Sequence, residues 1–471
     1  MRQCPTYVTF LAAVLCLRAA SPLTAQQPDR ARSVAFIDSV VNAAMQSTKT
    51  PGISVAVVRG GDTLVMKGYG LSDVENGVRV TPASVFRIGS LTKQFTAAAV
   101  MKLVEEGKLR LDGTIGDYLP DYTGPGRRVT IHQLLNHTSG IPSYTGLGEK
   151  FWGRSRLDLT HAQMLELFAA DSLRFEPGYR FEYNNSGYYL LGMIIEKVTG
   201  HPYGDHIRST IAQPNGLSTV TYCDEAPIIL GRVEGYEIEK GALVNAEPLS
   251  MNAPFAAGAL CSTARDLVRW NGALVNGKIV SPASYTKMTT PTTYPGGGGE
   301  SYGYGLSPGR IGSHPFVAHS GGINGFGAFM AYYPEQQLTI AVLANMGSDA
   351  PGDIVSAVAH HMLGVAPPPS QPAEAPAKDL STTAAERAQY VGTYDLAPAA
   401  PLKIRVFEDG GRLVGQATGQ GPIPLRYQGD HTFLGPDGSG IRMVFALENG
   451  RATQFTLHQG GRSGVAKRVA D

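Results

Sequence analysis

Residues 87–95, Arg-Ile-Gly-Ser-Leu-Thr-Lys-Gln-Phe, place a serine and a lysine three positions apart, Ser90 and Lys93. From Ser90 to Glu106 the pattern is helical: Phe95, Ala98, Val100, Met101, Leu103 and Val104 cluster, and Gly107 stands just past the end. This predicts an amphipathic helix of about four turns, opened by Ser90, on which residues three apart share one face. Free N–H groups at a helix start favour negative charge near the serine. A neutral Lys93 can then accept the hydroxyl proton if burial or a nearby cation lowers its pKa. Taken alone, an N-cap serine beside a solvated lysine is the plainer reading. The spacing is also cheap, because Ser284-Tyr-Thr-Lys287 repeats it. That copy sits in a short segment closed by Pro291 and followed by Gly296–Gly299, so context separates the two.

Two further stretches raise the first copy above the second. In Glu182-Tyr183-Asn184-Asn185-Ser186-Gly187-Tyr188, Tyr183 is the only one of 21 tyrosines followed two residues later by Asn. A tyrosine hydroxyl can carry a proton, and the Asn185 carboxamide can hold a substrate carbonyl or Lys93. A loop leading into a helix explains the same residues without chemistry. His319-Ser320-Gly321-Gly322 is expected directly before a strand. There His319 could position a proton or a substrate carboxylate, and Gly321 lets a ligand approach the backbone closely. His458-Gln459-Gly460-Gly461 is a decoy in a different part of the chain.

In this order, Ser-Leu-Thr-Lys, Tyr-Asn-Asn and His-Ser-Gly resemble the three motifs of the serine β-lactamase and penicillin-binding family, in its class C β-lactamase and D-alanyl-D-alanine carboxypeptidase branch. The resemblance extends to Leu134-Leu-Asn-His-Thr-Ser-Gly-Ile141 and to the run from Ala257 to Leu267, and spans about residues 35–365. It implies that Ser90 is acylated while Lys93 and Tyr183 move protons. Asn185 would hold the substrate amide, and the backbone N–H groups of Ser90 and Gly322 would form the oxyanion hole. Water would release the acid, so the implied chemistry calls for no metal or organic cofactor. Class C enzymes usually carry Lys-Thr-Gly where this chain has His319-Ser320-Gly321. Histidine there is more like carboxypeptidases, D-aminopeptidases and esterases of the branch, which puts efficient antibiotic hydrolysis in question. The absence of Ser-Asp-Asn argues against class A. The expected substrates are therefore D-amino-acid peptides, with β-lactams or small esters as alternatives. A rival reading makes Ser320 the elbow serine of an α/β-hydrolase, which requires a helix after Ser320. A second rival is a binding protein for β-lactams or peptidoglycan that has lost the chemistry.

Outward from these motifs, residues 33–66 read as a helix, a Pro51-Gly52 break and a strand pair turning at Gly60-Gly61-Asp62. Residues 110–300 mix short helices with long loops, among which 143–160 and 291–303 are expected to shape the pocket. Strands return over 316–345, and a last helix ends near Gly364. The order predicts an α/β (α+β) domain over 26–365, an antiparallel sheet flanked by helices beside a mostly helical lobe. Residues 366–379 form a Pro-rich linker. Beyond it, 380–471 alternates short apolar runs with turns, about eight strands, and resembles a small lipocalin-like all-β barrel.

Composition sets the outer limits. The 471 residues are 43% hydrophobic with formal charge +1 and no long run of one sign, so nothing favours nucleic acid or an acidic membrane as partner. Residues 1–25 read as an export signal, a basic start followed by an apolar run at Tyr7–Leu17 that is too short to span a bilayer. The mature chain is expected in the periplasm or outside the cell, without a membrane anchor. Export would remove Cys4 and Cys16, leaving Cys223 and Cys261 either as one disulfide or as two buried thiols. No Cys, His or Glu pattern has metal spacing.

Overall fold

A computed structural model describes residues 30–367, 378–396, 403–417, 422–436, 440–459 and 462–469. The expected export signal at 1–25 lies outside the described residues, as does the Pro-rich linker except at its ends. The chain divides into two compact units, one on each side of Pro367 and Pro368.

The first unit is organised by a seven-stranded antiparallel sheet. Its strands are β1 (Gly52–Arg59), β2 (Asp62–Asp73), β3 (Val78–Arg79), β4 (Ser307–Ile311), β5 (His314–Ile323), β6 (Phe326–Tyr333) and β7 (Leu338–Ala344), in the spatial order β4-β5-β6-β7-β1-β2-β3. Gly60 and Gly61 close the β1–β2 hairpin, and β1 pairs on its other side with β7 in the register Ile53↔Ala344 to Arg59↔Leu338. The first and last strands of this sheet in chain order thus pair at its centre. In β7, Leu338, Ile340, Val342 and Ala344 pack with Ile37 and Val41 of the helix Arg30–Thr48 and with Ile354 and Val358 of the helix Ala350–Leu363. Ala341 and Leu343 point the other way, into the helical lobe with Phe95 and Trp270. Both faces are covered, so from Ile340 to Ala344 β7 reads as an unbroken apolar run instead of an alternating one.

The lobe between β3 and β4 holds the expected short helices, including Ile131–Leu135, His161–Phe168, Asn185–Thr199 and Ala264–Val275. Threonine capping boxes open the first two, at Thr130 and Thr160. A three-stranded sheet, Phe86–Arg87, Leu260–Ser262 and Thr221–Tyr222, has no counterpart in the sequence reading, because strands of two or three residues carry no periodic signal. Beside it Cys223 and Cys261 are joined by a disulfide, with Cα atoms 5.2 Å apart.

Two local expectations are corrected. Ser90 does not begin the helix: it sits in a 3₁₀ turn, Gly89–Leu91, that leads into the helix Thr92–Glu105. That helix is also not amphipathic over its first three turns, since every residue from Thr92 to Met101 is buried. It runs through the centre of the lobe, and exposed or half-exposed side chains appear only from Lys102 on. The His319–Gly322 run lies within β5, not before it, and pairs residue by residue with Met330–Gly327 of β6. Glycines weaken the alternation that marks a strand, which hid this one.

The second unit is a closed eight-stranded antiparallel barrel, from β8 (Gly392–Asp395) to β15 (Arg462–Arg468). Pairing of Tyr394 with Arg468 and of Asp395 with Lys467 closes it. Tyr390, Tyr394, Phe433, Phe445 and Phe455 fill the interior, with ring centroids 4.9 to 5.7 Å apart.

Candidate active site

The turn before the helix Thr92–Glu105 is held by backbone contact. Gly89 has φ +51°, and a Cβ placed there would lie 2.9 Å from the Gly322 backbone. A Cβ on Gly321 would lie 2.1 Å from the Ile88 carbonyl oxygen. Neither position tolerates a side chain, so β5 and the turn carrying Ser90 lie directly against each other. This contact brings the Gly322 backbone next to the half-buried Ser90.

Lys93 lies one turn on and is fully buried. Its Nζ donates to Asn185 Oδ1 at 2.8 Å and to the Ala257 carbonyl at 2.9 Å, and lies within hydrogen-bond distance of Ser90 Oγ at 3.0 Å. All three partners are neutral, and among the described residues no carboxylate pairs with the amine. Burial therefore pushes the Lys93 pKa well below its ordinary value. The rings of Tyr183 and Tyr188 lie 4.7 and 5.5 Å from Nζ.

Asn185 is fixed at both ends of its carboxamide. Lys93 occupies the oxygen, and the nitrogen donates to Thr145 Oγ1 at 3.1 Å. Its position follows from the start of the helix Asn185–Thr199, where the Asn184 side chain caps Gly187 N–H at 2.7 Å. Ser186 Oγ donates to the Pro142 carbonyl and accepts from Tyr144 N–H, which ties the 142–144 segment to the same helix start. Tyr183 precedes this cap and is 38% exposed. Its hydroxyl end is nonetheless desolvated, which raises its pKa, and the adjacent Ser90 hydroxyl opposes that shift.

His319 is buried, and both ring nitrogens are occupied. Nδ1 faces the Ser320 carbonyl and must carry the proton, so Nε2 accepts from Tyr302 O–H at 2.9 Å. Burial, reinforced by Lys93, lowers its pKa to about 4, so the ring is neutral at physiological pH. Ser320 is exposed on a strand that continues through a turn into β6. The helix required by an α/β-hydrolase elbow is absent there.

The sequence reading missed several groups. The Ala257 carbonyl and Thr145 Oγ1 anchor Lys93 and Asn185, and Tyr302 anchors His319. His137 packs against Tyr183. Ala257 and His137 lie in stretches already noted for family likeness, and Thr145 and Tyr302 in the two loops expected to shape the pocket. Ser90 opens to a cleft of about 90 Å³ walled by Tyr144, Phe151, Trp152, Leu249 and Ile323, with no charged side chain on its lining. The second Ser–Lys pair is elsewhere: Ser284 is buried on the helix Pro282–Thr289, while Lys287 is exposed. Among the described residues no cluster of His, Cys, Asp or Glu could hold a metal ion, and no helix is long and apolar enough to cross a membrane.

Comparison with known proteins gives the family. A family profile described as Beta-lactamase matches residues 37–361. Protein flp of Staphylococcus aureus is 30% identical over 323 residues, 66% of this chain. The chain spans 63% of that relative's length. Penicillin-binding protein 4* of Bacillus subtilis is 28% identical over 440 residues, covering 88% of this chain and 94% of the relative. The structure of D-amino acid amidase from Ochrobactrum anthropi SV3, complexed with L-phenylalanine amide, superposes with a TM-score of 0.63 at 28% identity, covering 71% of this chain and 99% of the amidase.

Proposed function

Because the chain belongs to the beta-lactamase family of serine hydrolases, we propose that it is an exported hydrolase that works through an acyl-enzyme on Ser90 and cleaves D-amino-acid amides or peptides. The observation that carries this reading is the buried Lys93 amine, 3.0 Å from Ser90 Oγ and without a carboxylate partner. Such an amine favours its neutral form and is a base suited to the serine proton.

In the first half-reaction Ser90 Oγ attacks the substrate carbonyl and its proton passes to Lys93. The oxyanion forms against the backbone N–H groups of Ser90 and Gly322, which cost no reorganisation because the Gly89 and Gly321 contacts fix them. Tyr183 keeps its proton at working pH, since burial raises its pKa, and so serves as acid to the leaving amine. Lys93 then returns the proton to Tyr183. In the second half-reaction water attacks the ester on Ser90, and the same two groups run in reverse, releasing the acid. Asn185 holds Lys93 through its oxygen, and its Thr145-bound nitrogen faces the cleft where the substrate amide lies. Side chains and water suffice for every step.

Charge bears on substrate choice. The lining next to Ser90 is uncharged and His319 is neutral, so the nearest cations besides Lys93 are Arg87, Arg156 and Arg232 of the adjoining cavity, which shares Leu249 and Asn324 with the cleft. An uncharged lining favours aminopeptidase-like and amidase-like substrates over D-Ala-D-Ala carboxypeptidase or β-lactam substrates, both of which present a carboxylate. The likeness to D-amino acid amidase points the same way. Small esters also fit an uncharged cleft and are the second reading.

The test is a panel: D- and L-phenylalanine amides, a D-alanyl-D-alanine peptide, a p-nitrophenyl ester and a chromogenic β-lactam, with fluorophosphonate labelling followed by intact mass. Labelling is expected on Ser90, to disappear in Ser90→Ala and to persist in Ser320→Ala. The D-amide should turn over fastest. Labelling that survives Ser90→Ala overturns the nucleophile assignment, and preferred turnover of the carboxylate substrates overturns the substrate assignment.

A further inference from the structure

His137 is a buried histidine with left-handed backbone, φ +61°, a conformation that non-glycine residues adopt sparingly. Its hydrogen bonds converge on one short segment. The His137 carbonyl accepts from Glu182 N–H at 2.9 Å, and Nδ1 accepts from Asn184 N–H at 3.0 Å. Between those two anchors stands Tyr183, whose ring centroid is 4.4 Å from that of His137. The remaining faces of the imidazole meet Tyr302 at 4.7 Å, Tyr188 at 5.1 Å and Phe181 at 5.7 Å. Because Nδ1 accepts, the proton of the neutral ring is on Nε2, which is buried without a hydrogen-bond partner. Burial, with Lys93 and His319 nearby, holds the ring well below its ordinary pKa and keeps that tautomer neutral.

A strained backbone and an unpaired buried donor are both unfavourable, and functional sites are where such features concentrate. We propose that His137 is the positioning residue for Tyr183: it clamps the peptide units on both sides of Tyr183 and supports the ring from behind, so that the phenol faces Ser90. It touches neither substrate nor the reacting oxygen and acts only through Tyr183. The proposal rests on the reading of Ser90 as nucleophile and Tyr183 as its proton carrier.

A double-mutant cycle tests it on the full chain. The reading is the rate constant for fluorophosphonate labelling, with kcat and KM for the best substrate of the panel. His137→Ala should slow labelling by about 30-fold in the wild-type background but by less than about three-fold when Tyr183 is already Phe, because residues acting through one group are not additive. His137→Asn places a carbonyl oxygen near the Nδ1 position and accommodates positive φ, so it should keep labelling within about three-fold of wild type. His137→Ala should lower kcat with KM nearly unchanged, and His137→Asn should leave both close to wild type. Equal losses in the two Tyr183 backgrounds would refute the positioning role, as would His137→Asn losing as much as His137→Ala at an unchanged melting temperature. If His137→Ala fails to fold, His137→Asn decides alone: labelling slowed by more than about ten-fold at an unchanged melting temperature refutes the role, and labelling within about three-fold of wild type supports it. Ser90→Ala run in parallel separates the cases: labelling that persists there means the nucleophile reading has failed, whereas a clean Ser90 adduct with additive His137 losses means only this proposal has.

Discussion

Two serine–lysine pairs with the same spacing sit in the same unit of this protein, and their environments are opposite. Ser90 is half-buried at a cleft and Lys93 is fully buried among neutral acceptors. Ser284 is buried beneath the N-cap Ser281 and beside Glu105, while Lys287 extends into solvent. The barrel offers a third case: buried Arg387 pairs with Glu408 at 2.8 Å and keeps its charge. A structural cation is given a carboxylate or water. Lys93 is given neither, so its charge is disfavoured and its lone pair becomes available.

The largest effect should break this comparison at the lysines. Lys93→Met is expected to slow Ser90 labelling about 10³-fold, as loss of a general base does, whereas Lys287→Met stays within about two-fold. Comparable losses in the two variants would mean that burial does not distinguish the pairs. A second test addresses what holds the Ser90 neighbourhood together. Cys261 lies on the strand that pairs with Arg87, three residues before Ser90, and four residues after Ala257, so the Cys223–Cys261 link braces two of the three partners of Lys93, Ser90 and the Ala257 carbonyl. Replacing both cysteines with serine should lower unfolding stability by about 3–4 kcal/mol in urea melts, the size expected for a loop of this length. An unchanged midpoint would show that the packing of the three-stranded sheet suffices.

The smallest effect concerns His319 and acid. Its folded pKa, about 4 because of burial, lies below the ordinary value of 6.5. The unfolded chain therefore takes up this proton first, and stability falls as pH drops from about 6.5 to about 4. His319 contributes about 3 kcal/mol to that loss at most. Urea melts at pH 7 and pH 4.5 should show a steeper acid loss for wild type than for His319→Gln, and parallel losses would place the titration elsewhere, His137 included.

Legibility in the sequence followed contiguity. Ser90 and Lys93, Tyr183 and Asn185, and His319 to Gly322 each lie within a few residues of one another, so residue order alone carries them. The Gly60-Gly61-Asp62 turn and the regular spacing of barrel strands were readable for the same reason. What stayed hidden is relational. A backbone acceptor such as the Ala257 carbonyl has no side-chain signature, and His137 and Tyr302 reach the site only once their loops have folded, His137 against Asn184, 47 residues on, and Tyr302 against His319, 17 residues on. Ser90 and Leu91 read as the start of the helix because local pattern does not register a tertiary contact with β5.

The backbone contact at Gly89 and Gly321 also bears on how this chain can change. In the proposed mechanism the frame that aligns nucleophile and oxyanion donors has no side chains there, so mutation at those positions can disable the frame but cannot retune it. Tyr144, Phe151 and Trp152 wall the same cleft from a separate loop. Substrate preference can therefore drift, in nature or in a directed library, through residues that do not carry the machinery of acylation.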